Sequence, residues 1–168
     1  MKIAWFNRIS FSVFFFLLCL ALLSACKEKD PIVPPEVVKA SATVNDSYYT
    51  FLASTFIVTE DAQDRLINTL TFARSNNSRI ILRFPGTEEG TFTSLSDTSV
   101  VCSYVDPSER VYQSDTGTIV ISTFMRRDGL FTVSGGFEFI GYFPNLIDPT
   151  NPMRVEVKNG GFVNITNN

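Results

Sequence analysis

Between Phe131 and Phe143 every second residue is apolar or glycine. Phe131, Val133, Gly135, Phe137, Phe139, Gly141 and Phe143 fall on one side, with Thr132, Ser134, Gly136 and Glu138 on the other. A period of two is what a strand produces, because successive side chains point to opposite faces of a sheet. A helix would spread the same positions around its circumference. The run therefore specifies a long strand with one buried face. The pattern recurs at Ile80, Leu82 and Phe84, which alternate with Arg79, Ile81 and Arg83.

Turn chemistry divides the rest of the chain into strands. Ser75-Asn76-Asn77-Ser78 separates 66–74 from 79–84 and predicts a hairpin. Asp128-Gly129 joins 118–126 to the phenylalanine strand, and Asn159-Gly160 is expected to join 153–158 to 161–166. Both dipeptides suit turns that need positive φ. Further strands are expected at 39–44, 47–53, 55–59, 99–105 and 110–114, and Gly135-Gly136 inside a strand predicts a bulge or bend. Thr59 to Arg65 is the one stretch where a short helical turn is expected. These elements predict an all-β domain, an antiparallel β-sandwich of about nine or ten strands, with a partly open β-barrel as the alternative.

The N-terminus obeys different rules. Lys2 and Arg8 precede an uncharged run from Phe11 to Ala25. A spanning helix needs about 20 apolar residues; this shorter run, followed at once by charges, has the layout of a secretory signal. It ends in Leu23-Ser24-Ala25-Cys26, which resembles the lipobox of bacterial lipoproteins at all four positions. An ordinary signal peptidase site also takes small residues such as Ser24 and Ala25. The thiol at the fourth position separates the two readings, because a diacylglyceryl group is transferred to sulfur before cleavage. The expected site residues are therefore Cys26 as the lipidated residue and Ala25–Cys26 as the cleaved bond. Each buried methylene contributes about 0.8 kcal/mol, so the two or three chains that the resemblance implies would make a lasting anchor.

The chain then divides into a signal peptide (1–25), a lipidated Cys with a Pro-rich tether (26–37) and a single β-domain (38–168). Pro31, Pro34 and Pro35 stiffen the tether. Lys27 stands where inner-membrane lipoproteins tend to carry Asp, which favours the outer membrane. Lys27-Glu28-Lys29-Asp30 resembles the surface-export tag of Bacteroidetes lipoproteins.

Without residues 1–25 the charge balance shifts. Lys2 and Arg8 leave, so the 14 basic residues fall to 12 against 17 acidic ones, and the net charge goes from −3 to −5. Nucleic acid is a poor partner for such a chain; the one tight basic pair, Arg126-Arg127, precedes a turn. There is no histidine, which removes imidazole-based triads and the common zinc sites. Cys19 is discarded and Cys26 acylated, leaving Cys102 in a strand-like run as a buried thiol with no disulfide partner.

What remains are carboxylates and tyrosines. Glu88-Glu89, between Gly86 and Gly90, is the local pair that glycoside hydrolysis would need, but it reads as a solvated turn. Glu60, Asp61 and Asp64, joined by Asp97, Asp106 or Asp115, offer oxygen ligands for calcium without the spacing of an EF-hand. Tyr48 and Tyr49 must point to opposite faces, and Tyr112 and Tyr142 fall on expected polar faces, where a ring can stack on a sugar or anchor a partner. The mature chain holds no Trp, which weakens the sugar reading. No catalytic, cofactor-binding or metal-ligating residue is assigned.

Three stretches together resemble small Bacteroidetes outer-membrane or surface lipoproteins with a β-rich domain of unknown function. They are the lipobox with its charged tether, Ala42-Thr43-Val44-Asn45-Asp46 followed by Tyr49-Thr50-Phe51, and Val155-Glu156-Val157-Lys158-Asn159-Gly160-Gly161-Phe162. The resemblance implies no catalytic residues. The expected function is a non-enzymatic binding or structural module, anchored through acylated Cys26, with an envelope protein or glycan as partner. A carboxylate-based glycan hydrolase or a calcium-dependent glycan or protein binder is the second reading.

Overall fold

The computed structural model describes residues 38–95, 97, 99–145 and 150–167. Ala25, Cys26 and the 27–37 tether lie outside the described residues. No helix forms among those described. The strands are β1 (Ala40–Val44), β2 (Ser47–Phe51), β3 (Ala53–Glu60), β4 (Leu66–Ala73), β5 (Arg79–Pro85), β6 (Gly90–Thr93), β7 (Val101–Val105), β8 (Val111–Arg127), β9 (Leu130–Phe143) and β10 (Met153–Thr166).

The ten strands make one antiparallel sheet in the order β2-β1-β10-β9-β8-β7-β5-β4-β3, with β6 added on β8. The sheet curls into a half-barrel whose flanks face each other across the core, as the layers of a sandwich do. Phe72 of β4 stacks on Phe137 of β9 at 6.0 Å between ring centroids, and packs tilted against Phe162 of β10 at 5.5 Å. The two edge strands are neighbours in sequence: β2 pairs with β1, β3 pairs with β4, and Leu52 alone separates them. One extended ribbon thus crosses from one edge of the sheet to the other.

Hairpins form where positive φ is available. Asn45 and Asp46 (φ 46° and 63°) turn β1 into β2, and Asp128 and Gly129 (53° and 82°) turn β8 into β9, the backbone that a tight two-residue hairpin requires. Ser75–Ser78 turns β4 into β5 as expected, with Asn77 at φ 67° and Asn76 Oδ1 accepting from Ser78 N–H.

Four expectations are corrected. First, 153–158 and 161–166 are a single strand, β10, and Asn159-Gly160 is a bulge inside it. Asn159 takes φ 50°, and the pairing with β9 slips between Val157 and Gly160. A second bulge follows at Asn164 (φ 50°). Each extra residue resets the inward phase, so Val157, Phe162 and Ile165 are all buried although no period of two connects them. Second, 110–114 and 118–126 are likewise one strand, β8, with slips between Ser114 and Thr116 and between Ile121 and Thr123. The slip near Asp115 turns Tyr112 inward. It was expected on a polar face and is 7% exposed. Third, Thr59 to Arg65 makes no helical turn; β3 runs to Glu60 and a hairpin loop follows. Fourth, β6 forms where no strand was expected.

The glycines beside the bulges have a packing reason. Gly160 lies across from Phe137, and an added Cβ would meet that ring at 2.4 Å; Gly135 lies across from Phe162, and its Cβ would meet Val120 O at 2.0 Å. Each phenylalanine lies over the glycine of the neighbouring strand, which lets the two rings stack at 6.3 Å. Cys102 is fully buried within this core, and burial pushes its thiol up to about 12. It packs as an inert apolar group.

Candidate functional site

The acidic positions singled out in the sequence separate into structural and free carboxylates. Asp61 is structural. Its Oδ1 accepts from the Gln63 and Arg65 backbone N–H groups, both at 2.9 Å, and its Oδ2 from Arg65 Nε at 2.8 Å. Chiefly the Arg65 N–H, helped by Gln63 N–H and the guanidinium, holds its carboxyl below the usual range against the effect of burial. Asp64 takes the left-handed position of this loop at φ 58°.

Asp106 repeats the arrangement. Its Oδ1 accepts from Ser108 N–H (2.8 Å) and Arg110 N–H (3.1 Å), and its Oδ2 from Arg110 Nε at 2.6 Å and Tyr112 Oη at 3.4 Å. Burial works against the charge here, but the Arg110 N–H, its guanidinium and the Ser108 N–H outweigh it and hold the carboxyl low. Asp97 is held low mainly by the Ser99 hydroxyl, and Glu156 mainly by Lys158 at 2.9 Å. All four of these carboxylates shift downward. A general acid for glycoside cleavage needs the opposite shift, so none of the four is poised for that role. Among the described residues no three His, Cys, Asp or Glu side chains gather as a metal-binding group. Asp97 feels the charge of Arg65, which pairs with Asp61, yet the two carboxylates do not become part of a three-residue metal group, and Asp106 holds a separate loop.

Glu88 and Glu89 differ from these. Both are exposed on the β5–β6 loop, and neither forms an ion pair with the described residues. They stand at the mouth of a cleft where the curled sheet parts between β4–β5 and β6. A cavity of about 540 Å³ lies there, walled by Leu66, Pro85 and Phe92, with Arg65 at its rim. It adjoins a second of about 220 Å³ beneath Phe124 and Phe131; Leu66 and Thr87 line both.

The cleft is built from core positions that run out of neighbours. Leu66 is the first residue of β4, two before the buried Asn68 on the same face. Phe92 packs on Phe84 at 5.2 Å, and Phe124 on Phe131 edge to face at 5.6 Å. These are the inward positions of their strands, yet all three rings outside Phe84 stay half-buried. The Arg126 guanidinium lies over the Phe131 ring at 5.4 Å. Asn68 secures the wall: its amide N–H donates to the backbone oxygens of Gly86 and Phe84. Its Oδ1, wholly buried, has no donor among the described residues.

Glu88 and Glu89 were visible in the sequence as a pair. Leu66, Phe92, Phe124 and Phe131 were not, because a half-buried inward position and a buried one have the same pattern. Of the tyrosines, Tyr48 is 68% exposed at the β2 edge, while Tyr49 lies under the Arg74 guanidinium at 4.1 Å. Tyr142 is half-buried, and Tyr112 belongs to the core.

A curled antiparallel half-barrel with a cleft at one end defines a small β-domain class. The chain belongs to the DUF6252 family, a domain of unknown function whose model matches residues 40–166. No curated protein and no solved structure matches it.

Proposed function

We propose that the protein is an exported lipoprotein whose β-domain acts as a non-enzymatic binding or structural module of the cell envelope. Lipid on Cys26, exposed by cleavage after Ala25, holds it to the outer membrane. Export onward to the cell surface, as in the Bacteroidetes lipoproteins that the chain resembles, follows from Lys27-Glu28-Lys29-Asp30. The observation that carries this reading is Leu23-Ser24-Ala25-Cys26, closing an uncharged run behind Lys2 and Arg8. The absence of histidine from the sequence, and the use of Asp61 and Asp106 to hold loops, support contact over catalysis.

Cys26→Ala is expected to abolish fatty-acid labelling and to release the protein from the membrane fraction. Labelling that persists in this variant overturns the anchor. The non-enzymatic half is tested on the acylated protein with cell-wall and surface glycans as substrates. Turnover that disappears in Glu88→Gln, Glu89→Gln would replace it with a hydrolytic function.

A further inference from the structure

We infer that the cleft between Leu66, Phe92, Phe124 and Phe131 binds an extended segment of a protein partner, one that presents an apolar side chain next to basic ones. This rests on the reading of the domain as a binding module and names what it binds. The cleft's combined cavities fall within the roughly 300–1,000 Å³ of ordinary ligand pockets. Its lining decides between ligand classes. Leu66 and the phenylalanine rings form its apolar part, with Arg65 (paired with Asp61), Thr87, Thr91, Glu88 and Glu89 around them; the two glutamates favour a ligand bearing positive charge over a neutral sugar. An aliphatic or aromatic side chain would gain from covering these half-buried rings.

Charge supplies the second half of the specificity. Arg65 is already paired with Asp61 at 2.8 Å, and Arg126 lies over Phe131. Glu88 and Glu89 form no ion pair with the described residues and outnumber Arg126, which keeps its charge over the ring, so the lining is net acidic and a basic side chain flanking the apolar one complements it.

The test uses the full acylated protein in detergent micelles and three fluorescein-labelled hexapeptides, read by anisotropy. They are Ser-Lys-Leu-Phe-Lys-Ser, its charge-reversed form Ser-Glu-Leu-Phe-Glu-Ser, and Ser-Lys-Ser-Ser-Lys-Ser, which lacks the apolar pair. The first is expected to bind saturably, and each of the others at least tenfold more weakly. Glu88→Gln with Glu89→Gln should weaken the first peptide about tenfold and flatten its salt dependence. Phe131→Ser should weaken it at any salt. If Phe131→Ser unfolds, the exposed glutamine pair still decides. Equal binding of the three peptides, no binding of any, or indifference to the glutamine pair overturns the inference. Fatty-acid labelling scored on the same preparation separates the two readings: labelled protein that ignores the peptides sinks the cleft and leaves the anchor standing.

Discussion

Asp61–Arg65 and Asp106–Arg110 are the same loop made twice, at opposite ends of the sheet. In each, the Asp N–H donates to the Arg carbonyl, the fourth residue's N–H donates back to the Asp carbonyl, and that fourth residue sits in the left-handed region, Asp64 at φ 58° and Glu109 at 62°. In each, the Asp carboxylate takes the third and fifth backbone N–H groups and the Arg side chain. The surroundings differ. The second loop is stitched to its neighbours: Glu109 makes a two-pronged pair with Arg79 of β5, Arg110 reaches Met153 Sδ, and Tyr112 reaches Asp106. Behind it Tyr104, Tyr112 and Phe143 fill the end of the barrel, ring to ring at 6.0 and 5.8 Å. In the first loop the side-chain bonds found among the described residues are those of Asp61 with Arg65, with Asp97 close enough to feel the Arg65 charge, and behind it the aromatic pairs part to leave the cleft. One local pattern thus fixes two backbones, and the aromatics beside it decide whether that end of the barrel is closed or open.

The strongest way to break this comparison is to remove the aspartates. Asp106→Ala strands two backbone N–H groups, the Arg110 guanidinium and the Tyr112 hydroxyl beside a side chain only 9% exposed. Losing these part-buried bonds together, with the buried Tyr112 hydroxyl left without its acceptor, makes a loss of about 2 kcal/mol the expected result in urea unfolding. Asp61→Ala breaks the same local bonds in a more open setting, where water replaces them, and a clearly smaller loss is expected. Equal losses would mean that the loop acts alone and its surroundings add nothing.

Acid sharpens the same contrast. Both carboxyls titrate below their unfolded value of about 3.9, so folding favours their charged forms. The stabilisation they give is complete well above that value and disappears as pH falls through the folded pKa. In a urea series from pH 7 to 2.5, Asp106→Asn should start less stable and lose less below about pH 5 than the unaltered protein. Asp61→Asn should show the same flattening to a smaller extent. Curves that stay parallel down to pH 2.5 would show that neither carboxylate couples to folding.

The twin loops also show what a sequence can and cannot disclose. Asp61-Ala62-Gln63-Asp64-Arg65 and Asp106-Pro107-Ser108-Glu109-Arg110 share an Asp, an acidic fourth residue and an Arg. Read as clustered acids they suggested calcium; the Arg four residues on was the sign that the Asp is spoken for. The all-β class and the hairpins at Ser75–Ser78 and Asp128-Gly129 were legible, because alternation and turn residues are local. Asn159-Gly160 was misread because a hairpin turn and a bulge both want Asn in the left-handed region and both interrupt a period of two. Only the partner strand distinguishes them: β9 runs alongside both halves of β10 without a break. The bulge near Asp115 hid Tyr112 for the same reason. The cleft was least legible of all. It depends on which inward aromatics lack a facing neighbour, and that is settled by the curl of the sheet.

The smallest expected effect bears most directly on the open end. Glu88 and Glu89 are exposed and hold no loop together, unlike Asp61 a short distance along the same rim. Replacing both by Gln removes two like charges on adjacent residues and no bond to the described residues. Stability should therefore change by less than about 0.5 kcal/mol, the usual range for surface substitutions, and any change should favour the variant at low salt, where repulsion is least screened. Urea unfolding at low and high salt reads this directly. A clear loss of stability would show that the pair supports the β5–β6 loop, and the two ends of the barrel would then differ only in degree. With stability unchanged, these carboxylates are surplus to the fold, and their place at the mouth of an apolar cleft is left to be explained by what enters it.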